Sequence, residues 1–202
     1  NNVETLVNVL PIVADGAAAF AARGTERSRG TKLFAVSGRV GAPGVYEVPF
    51  GITLGQLLDL AGGTTGDLQA VLLGGAAGTF VGPDALDLRL TLEDAAEAGA
   101  TLGSGAVTVF DTADDLNAVV TRIAAFFRDE ACGQCVPCRI GTVRQEEALH
   151  RYLAGGGDGD RRLLEDVGRA MEDASICGLG QTAAGAVRSA VELGLVTGGG
   201  GQ

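Results

Sequence analysis

Hydrophobic positions change their spacing twice along this chain, and each change marks a predicted boundary. Residues 1–30 carry apolar side chains at helical spacing as far as Pro11 and small apolar residues beyond it, which predicts two short helices. Residues 31–111 carry strand-like runs separated by turn signals. Residues 112–195 return to helical spacing. The pattern predicts an α+β protein with a helical lead-in, a small sheet domain and a C-terminal four-helix bundle, followed by a disordered tail at residues 196–202.

The middle part has the element order of a β-grasp-like sheet. Residues 32–40 and 44–49 have strand-like patterns on either side of a Gly-Ala-Pro-Gly turn, which predicts a β-hairpin. Thr53 is placed to cap a short leucine-rich helix. Further strand candidates follow at residues 70–73, 79–81 and 106–110. A hairpin, a helix and returning strands together predict a small sheet with one covering helix.

The last part predicts four helices with both cysteine segments in the loops between them. The helices cover about residues 116–127, 140–153, 163–171 and 182–193. Thr112 and Asp115 are spaced to form a capping box before the first of these helices. Loops at one end of such a bundle can contribute to a shared site.

Composition and charge limit the partners that this chain can have. Hydrophobic residues make up 46% of the sequence, which is enough for a real core. The net charge is −10, from 15 Lys and Arg against 25 Asp and Glu. That balance argues against nucleic acid, whose phosphates need a basic surface, and against an anionic membrane surface. No apolar run of about 18 residues or more is present, so we expect no direct membrane insertion.

The four cysteines are the strongest chemical signal in the sequence. Cys132, Cys135 and Cys138 form a C-x2-C-x2-C run, Cys177 lies far downstream, and these are all the cysteines of the chain. Three thiolates so close together can cover one face of a cubane cluster and leave one iron for a distant fourth ligand. This is the arrangement expected of a [4Fe–4S] site.

Other interpretations of the cysteines remain open. Structural zinc sites also use four cysteines, although typically as two separated C-x2-C pairs rather than three plus one. A [2Fe–2S] cluster of the plant type begins with a longer C-x4-C gap, and a disulfide framework would have to pair near neighbours. Two alternative functions follow: an interaction module with structural zinc, or a module that binds a small ligand through residues 31–111. Free thiolates that serve a cluster indicate a reducing compartment, hence the cytoplasm.

Three residues beside the cysteines are predicted to support the cluster. Gly133 and Gly178 have no side chain to keep backbone N–H groups away from cluster sulfur atoms. Arg139 can offset the negative charge of the thiolates and raise the reduction potential. His150 is the only histidine and is predicted to be a surface residue, so the chain has no Ser-His-Asp arrangement and no predicted catalytic residue.

Several stretches of this sequence carry a resemblance to a known family. They are Asn1 to Leu6, Ser37 to Val40, Pro43 to Pro49, Gly103 to Val107, Glu130 to Thr142, and Cys177. At these residues the chain resembles the C-terminal part of the NADH-binding flavoprotein subunit of respiratory complex I. The same module occurs in diaphorase subunits of NAD-linked hydrogenases and formate dehydrogenases. The chain departs from the family at Ala131, where the family usually has serine.

The resemblance implies a division of the chain into functional parts. Residues 1–30 would be a helical remnant of the flavin domain, in which Asn1, Asn2 and Thr5 are candidate FMN contacts. Residues 31–111 would be the family's soluble-ligand-binding β-grasp domain, called SLBB. Residues 112–195 would hold the [4Fe–4S] cluster, with Cys177 as its fourth ligand. The NADH and FMN site would lie upstream of this chain, which starts without a methionine and is therefore expected to be a fragment.

The same resemblance implies a function and partners. In the full-length protein, electrons would pass from FMN, reduced by NADH, through the [4Fe–4S] cluster to a partner iron–sulfur subunit. The chain would then be part of an NADH dehydrogenase, an oxidoreductase. Its implied partners are the upstream flavin domain and adjacent iron–sulfur subunits of a multisubunit complex, which would be cytoplasmic or peripheral to the inner membrane.

Overall fold

The computed structural model describes residues 2–198, and the chain forms two compact units. The first, the sheet unit, extends to Gly75 and resumes at Gly82–Thr112. The second, the helical unit, comprises Ala76–Val81 and the chain from Ala113 onward. The described residues include a five-stranded sheet and several helices, which confirms the predicted α+β class.

The sheet has mixed strand directions and the order β2-β1-β5-β3-β4. Its strands are β1 (Thr31–Gly38), β2 (Gly44–Pro49), β3 (Leu68–Leu73), β4 (Thr79–Val81) and β5 (Ala106–Asp111). β1 and β2 form the predicted antiparallel hairpin, with Lys32 opposite Val48. β5 runs parallel to β1 and antiparallel to β3. The first and last strands of the sheet in chain order therefore lie side by side.

Alternating side chains explain how the sheet unit acquires its core. Phe34 and Val36 of β1 and Val48 of β2 are buried, while the residues between them are more exposed. The helices of this unit are α1 (Val3–Asp15), α2 (Ala17–Ala21), α3 (Leu54–Leu60) and α4 (Leu92–Glu97). α3 begins with a capping box between Thr53 and Gln56, as the sequence predicts for Thr53. Leu54, Leu57 and Leu58 of α3 are buried.

The first helix continues through Pro11, where the sequence predicts a break. A proline inside a helix removes one backbone hydrogen bond, yet α1 extends to Asp15. The helix ends at Gly16, whose φ of +89° is readily adopted only by glycine and whose N–H donates to the Ile12 carbonyl at 3.0 Å. No residue of α1 is buried, so Pro11 disturbs no packed neighbour within this helix.

The helical unit differs from the predicted four-helix bundle near its end. Its helices are α5 (Leu116–Glu130), α6 (Val136–Leu153), α7 (Asp158–Ala174), α8 (Gly178–Thr182) and α9 (Gly185–Glu192). α9 lies within the helix predicted at residues 182–193, and α8 is an additional short helix before it that the sequence pattern does not predict. The buried Gln145 donates from Nε2 to the Ala183 carbonyl at 3.0 Å. This carbonyl lies between α8 and α9, so a distant side chain holds the backbone that joins the two helices.

Close helix packing places the start of α6 beside the end of α7. A Cβ built on Gly141 would lie 2.4 Å from Met171 Cγ, so only glycine permits this approach. Met171 itself is fully buried. The contact fixes the first turns of α6, where two of the cysteines are found.

The two ends of the chain are described only in part. Val196, at the start of the predicted disordered tail, is only 1% exposed. Residues 199–202 of that tail lie outside the described residues, as does Asn1. No helix in the described part of the chain is both long and apolar enough to span a membrane.

Candidate iron–sulfur site

The first cysteine segment is the loop that leads into α6. Cys135 is the N-cap residue of this helix, and Cys138 lies in its first turn. Cys132 is exposed, Cys135 is partly exposed and Cys138 is buried. The buried Thr142 donates from its hydroxyl to the Cys138 carbonyl at 3.0 Å, which secures the backbone of this turn.

The second cysteine segment joins α7 to α8. Ser175 ends α7, and its N–H donates to the Met171 carbonyl at 3.1 Å. The Gln181 side chain donates from Nε2 to the Ser175 carbonyl at 3.0 Å. Cys177 follows as the exposed N-cap residue of α8. The backbone around Cys177 is therefore held from both helices.

The structure brings all four cysteines together. Burial raises the pKa of the Cys138 thiol, and the negative thiolates of Cys135, Cys177 and Cys132 raise it further, in that order. These interactions require the other three sulfur atoms to lie near Cys138. All four cysteines are free of disulfide bonds. Four thiols near one buried position form a donor set that a metal centre can bind.

Backbone N–H groups favour the thiolate form of Cys135. The N–H of Ile176 lowers the pKa of this thiol most, followed by the N–H of Cys138. Burial opposes the shift, and the Ser175 hydroxyl adds a smaller lowering effect. Because one donor comes from each cysteine segment, the two segments jointly prepare an anionic sulfur atom.

The predicted supporting residues have different surroundings. Gly133 has a φ of +78°, a conformation that side chains rarely adopt. Exposed Arg139 donates from Nη1 to the Gly133 carbonyl at 3.3 Å and so supports the loop itself. A Cβ added to Gly178 would meet no protein atom within 4 Å. The backbone conformation therefore explains a glycine at position 133, whereas neither conformation nor packing explains the glycine at position 178.

Gly180, which sequence reasoning missed, is the glycine that packs against the site. A Cβ on Gly180 would lie 2.3 Å from Ser175 Oγ and 2.8 Å from Cys138 Cβ. Gly180 is buried in α8, two residues beyond Gly178. The only local signal is the repeated glycine in Gly178-Leu179-Gly180, and nothing in that repeat distinguishes one glycine from the other.

The buried hydroxyl of Ser175 was also missed. Ser175 is 6% exposed, and its Oγ forms no hydrogen bond of ordinary geometry with any described residue. The hydroxyl nevertheless lies near enough to the Cys135 thiol to affect it, so the two groups are close but poorly aligned. In the sequence, Ser175 stands before Ile176 and Cys177 and looks like any residue at the end of a helix. No sequence pattern indicates that its hydroxyl is buried.

Other candidates lie outside this site. His150 is exposed, with Nε2 3.8 Å from Glu146, and Glu146 pairs with Arg128. Within residues 2–198, no three His, Cys, Asp or Glu side chains are arranged to hold a single metal ion. The thiolates of a [4Fe–4S] cluster bind separate irons, so they need not surround one point. Asn2 accepts from the Thr5 N–H at 3.1 Å and thereby caps α1, so both of these candidate FMN residues have a local role.

Comparisons with known proteins define two regions of the chain. Residues 118–193 match the NADH-ubiquinone oxidoreductase-F iron–sulfur binding region, and residues 33–77 match the SLBB domain. Within these residues, the chain is similar to an SLBB domain followed by the iron–sulfur binding region of this oxidoreductase. This confirms the predicted [4Fe–4S] cofactor for the region, while the individual ligands remain a prediction.

Individual relatives agree with this assignment. The NADP-reducing hydrogenase subunit HndC of Solidesulfovibrio fructosivorans is 38% identical over 186 residues, covering 90% of this chain and 38% of that protein. An NADH-quinone oxidoreductase subunit of Rhizobium meliloti (strain 1021) is 38% identical over 196 residues, covering 95% of this chain and 47% of that protein. The resemblance to the NADH-binding flavoprotein of complex I and its hydrogenase counterparts is thereby confirmed.

A solved structure shows the same fold. The crystal structure of an NAD+-reducing [NiFe]-hydrogenase in the H2-reduced state superimposes with a TM-score of 0.85 and 40% sequence identity. The match covers 95% of this chain and 33% of the hydrogenase chain. This chain spans less than half the length of the two curated relatives named above.

Proposed function

We propose that this chain is the electron-relay segment of an NADH-oxidising flavoprotein. The observation that carries the proposal is the interaction of three thiols with the buried thiol of Cys138. In the complete protein, the chain conducts electrons that NADH delivers through FMN to a partner iron–sulfur subunit. The names of the relatives, a hydrogenase subunit and a quinone oxidoreductase subunit, support this assignment.

The donor set fits a [4Fe–4S] cluster. Four thiols from two segments match its four ligands, which we assign to Cys132, Cys135, Cys138 and Cys177. Backbone N–H groups already favour the thiolate of Cys135. The buried, unpartnered hydroxyl of Ser175 beside these cysteines is a further group that a bound cluster would satisfy.

Each part of the site has a separate task in this proposal. The cluster, when bound, accepts and releases one electron at a time. Cys138 and the turn around it hold the buried side of the site, while Cys132 and Cys177 hold its exposed side. Gly133 gives the loop its conformation, and Arg139 stabilises that loop and adds positive charge. Gly178 leaves open space next to Cys177.

The remaining parts of the proposal concern the larger assembly. The sheet unit, with its SLBB match, serves to pack against the flavin domain or a partner subunit. The partners are the upstream flavin domain and adjacent iron–sulfur subunits of an NAD-linked complex. The free thiols in the cluster site support a reducing compartment for that complex, which we propose to be cytoplasmic or peripheral to the inner membrane.

Anaerobic reconstitution tests the proposal directly. The 202-residue chain is incubated with iron and sulfide, desalted, reduced with dithionite and measured by low-temperature EPR. We expect a rhombic spin-half signal with about four irons and four sulfides per chain. The matched variant Cys135→Ala is expected to lose both the signal and the bound iron, because it removes a thiolate ligand.

Three results would contradict the proposal or its ligand assignment. A wild-type chain that binds one zinc tightly and shows no EPR signal would make the protein a structural zinc module. A Cys135→Ala variant with full iron and sulfide content would contradict the ligand assignment. A cluster that cannot be reduced reversibly would favour the ligand-binding alternative for the SLBB domain.

A further inference from the structure

Ser175 is held beside the cysteines by two backbone hydrogen bonds and by the close packing of Gly180. Its N–H donates to the Met171 carbonyl at 3.1 Å, and its own carbonyl accepts from Gln181 Nε2 at 3.0 Å. Gly180 packs against its side chain, since a Cβ on that glycine would lie 2.3 Å from Ser175 Oγ. The same Cβ would lie 2.8 Å from Cys138 Cβ, so the hydroxyl and the buried cysteine share one small region. The position of the hydroxyl is therefore strongly determined.

The hydroxyl itself has no partner in this fixed position. Ser175 is 6% exposed, and its Oγ forms no hydrogen bond with any described residue. A buried hydroxyl without a hydrogen bond is unfavourable, because it has lost its bonds to water without replacement. Water cannot freely reach the Ser175 hydroxyl. The nearby cysteine sulfur atoms are able to accept a hydrogen bond from it. What distinguishes this hydroxyl is its position beside the cysteines, where a bound group can become its partner.

We infer that the Ser175 hydroxyl donates a hydrogen bond to a sulfur atom of the bound cluster, either the Cys135 thiolate or a bridging sulfide, and raises the reduction potential of the cluster. The inference rests on the proposed function, because it requires a cluster in the site. It assigns a tuning role to a residue outside the four ligands. Ser175 would act on the cofactor directly.

The sign of the effect follows from charge. Reduction adds one negative charge to a cluster whose sulfur atoms already carry most of the negative charge. A hydrogen bond to sulfur is stronger in the reduced state, so the donor stabilises that state and raises the potential. Loss of the donor must then lower the potential.

The test compares Ser175→Ala with the wild-type chain after reconstitution. EPR-monitored redox titration is expected to show a lower potential in the variant with unchanged iron and sulfide content. The expected size is about a tenfold change in the ratio of reduced to oxidised cluster at fixed potential, equivalent to about 59 mV for one electron. Denaturant unfolding of the cluster-free proteins is expected to show a variant no less stable than wild type, because it loses a hydroxyl without a partner.

Ser28→Ala is the matched control. Ser28 is also a buried serine, 2% exposed, but it lies in the sheet unit, where its hydroxyl donates to Glu93 at 2.6 Å. Its replacement is expected to leave the potential unchanged and to lower stability. The two variants should therefore affect different measurements.

Each outcome decides the inference. Equal potentials in fully loaded Ser175→Ala and wild-type proteins would overturn it and leave the proposed function intact. If Ser175→Ala takes up no cluster, Ser175→Thr is the deciding variant. A Ser175→Thr chain that binds the cluster with the wild-type reduction potential supports the role of the hydroxyl, and one that binds no cluster overturns it. A wild-type chain that takes up no cluster overturns the proposed function and this inference together.

Discussion

Ser28 in the sheet unit and Ser175 in the helical unit are both buried serines next to turns, yet their hydroxyls differ. The Ser28 hydroxyl donates to Glu93 at 2.6 Å and accepts from the Leu92 N–H at 3.0 Å. The Ser175 hydroxyl has no such partner among the described residues. In the sheet unit, the buried serine hydroxyl has hydrogen-bond partners within the protein. In the helical unit, the buried serine hydroxyl beside the four thiols has none among the described residues. Because it lies beside the cysteines, the Ser175 hydroxyl can be satisfied by a group bound there.

Removal of the cluster should affect the two regions unequally, and this is the largest effect we expect. Hydrogen exchange measured by mass spectrometry on loaded and chelated protein should show about a tenfold or greater loss of protection at residues 132–138 and 175–182. Protection at residues 24–30, around Ser28, should not change, because its hydrogen bonds are internal. Equal changes in both regions would show that the cluster stabilises the chain globally rather than through the cysteine segments.

Two nearby glycines provide the next largest effect. Gly180→Ala places a Cβ 2.3 Å from Ser175 Oγ and 2.8 Å from Cys138 Cβ, so overpacking should cost about 1–3 kcal/mol of unfolding free energy. Gly178→Ala places its Cβ in open space, with no protein atom within 4 Å. Its cluster-free form should be as stable as wild type in denaturant unfolding. Similar losses of unfolding free energy in both variants would mean that α8 does not tolerate an added side chain at either position. The close packing of Gly180 would then not account for its effect.

Local sequence signals were sufficient for much of the sheet, and they predict a site at the two cysteine segments. Residues 44–49 and 79–81 were predicted as strands and are β2 and β4 with the same bounds, because alternation and turn residues act over a few positions. The spacing of the cysteines likewise indicated two segments that share a site, and the structure brings the four thiols together. In each case the determining residues lie close in sequence or repeat a simple pattern.

Features that depend on distant side chains could not be predicted. The backbone that joins α8 and α9 is held by Gln145, which donates to the Ala183 carbonyl from another helix. Gly180 is required by contacts with Ser175 and Cys138, which only the folded chain reveals. The same holds for the hydroxyl of Ser175, since burial without a partner is a property of the whole unit. Sequence reasoning pointed to the glycine at position 178 instead, because that glycine directly follows a cysteine.

The smallest expected effect concerns Ser28 and its dependence on pH. The Ser28 hydrogen bond is the main cause of the lowered pKa of Glu93, opposed by burial and aided by Arg27 and Thr25. A carboxylate with a lowered pKa stabilises the fold above its unfolded pKa, and this contribution is lost as the pH falls through the folded pKa. Ser28→Ala should therefore cost most stability near neutral pH, including about 1 kcal/mol for the Leu92 N–H left without its acceptor. In acid, the difference from wild type should shrink.

Denaturant unfolding of the cluster-free chain at several pH values measures this effect. Glu97→Gln is the matched carboxylate control, because Glu97 is an exposed residue of the same helix, α4. Its stability should follow the wild-type pH profile, whereas the profile of Ser28→Ala should be flatter between about pH 3 and 5. A Ser28→Ala loss that is constant with pH would show that the hydroxyl acts through Leu92 alone. The Ser28 hydroxyl would then stabilise the fold only by accepting from the Leu92 N–H. Its difference from the Ser175 hydroxyl would consist of one stabilising hydrogen bond instead of two.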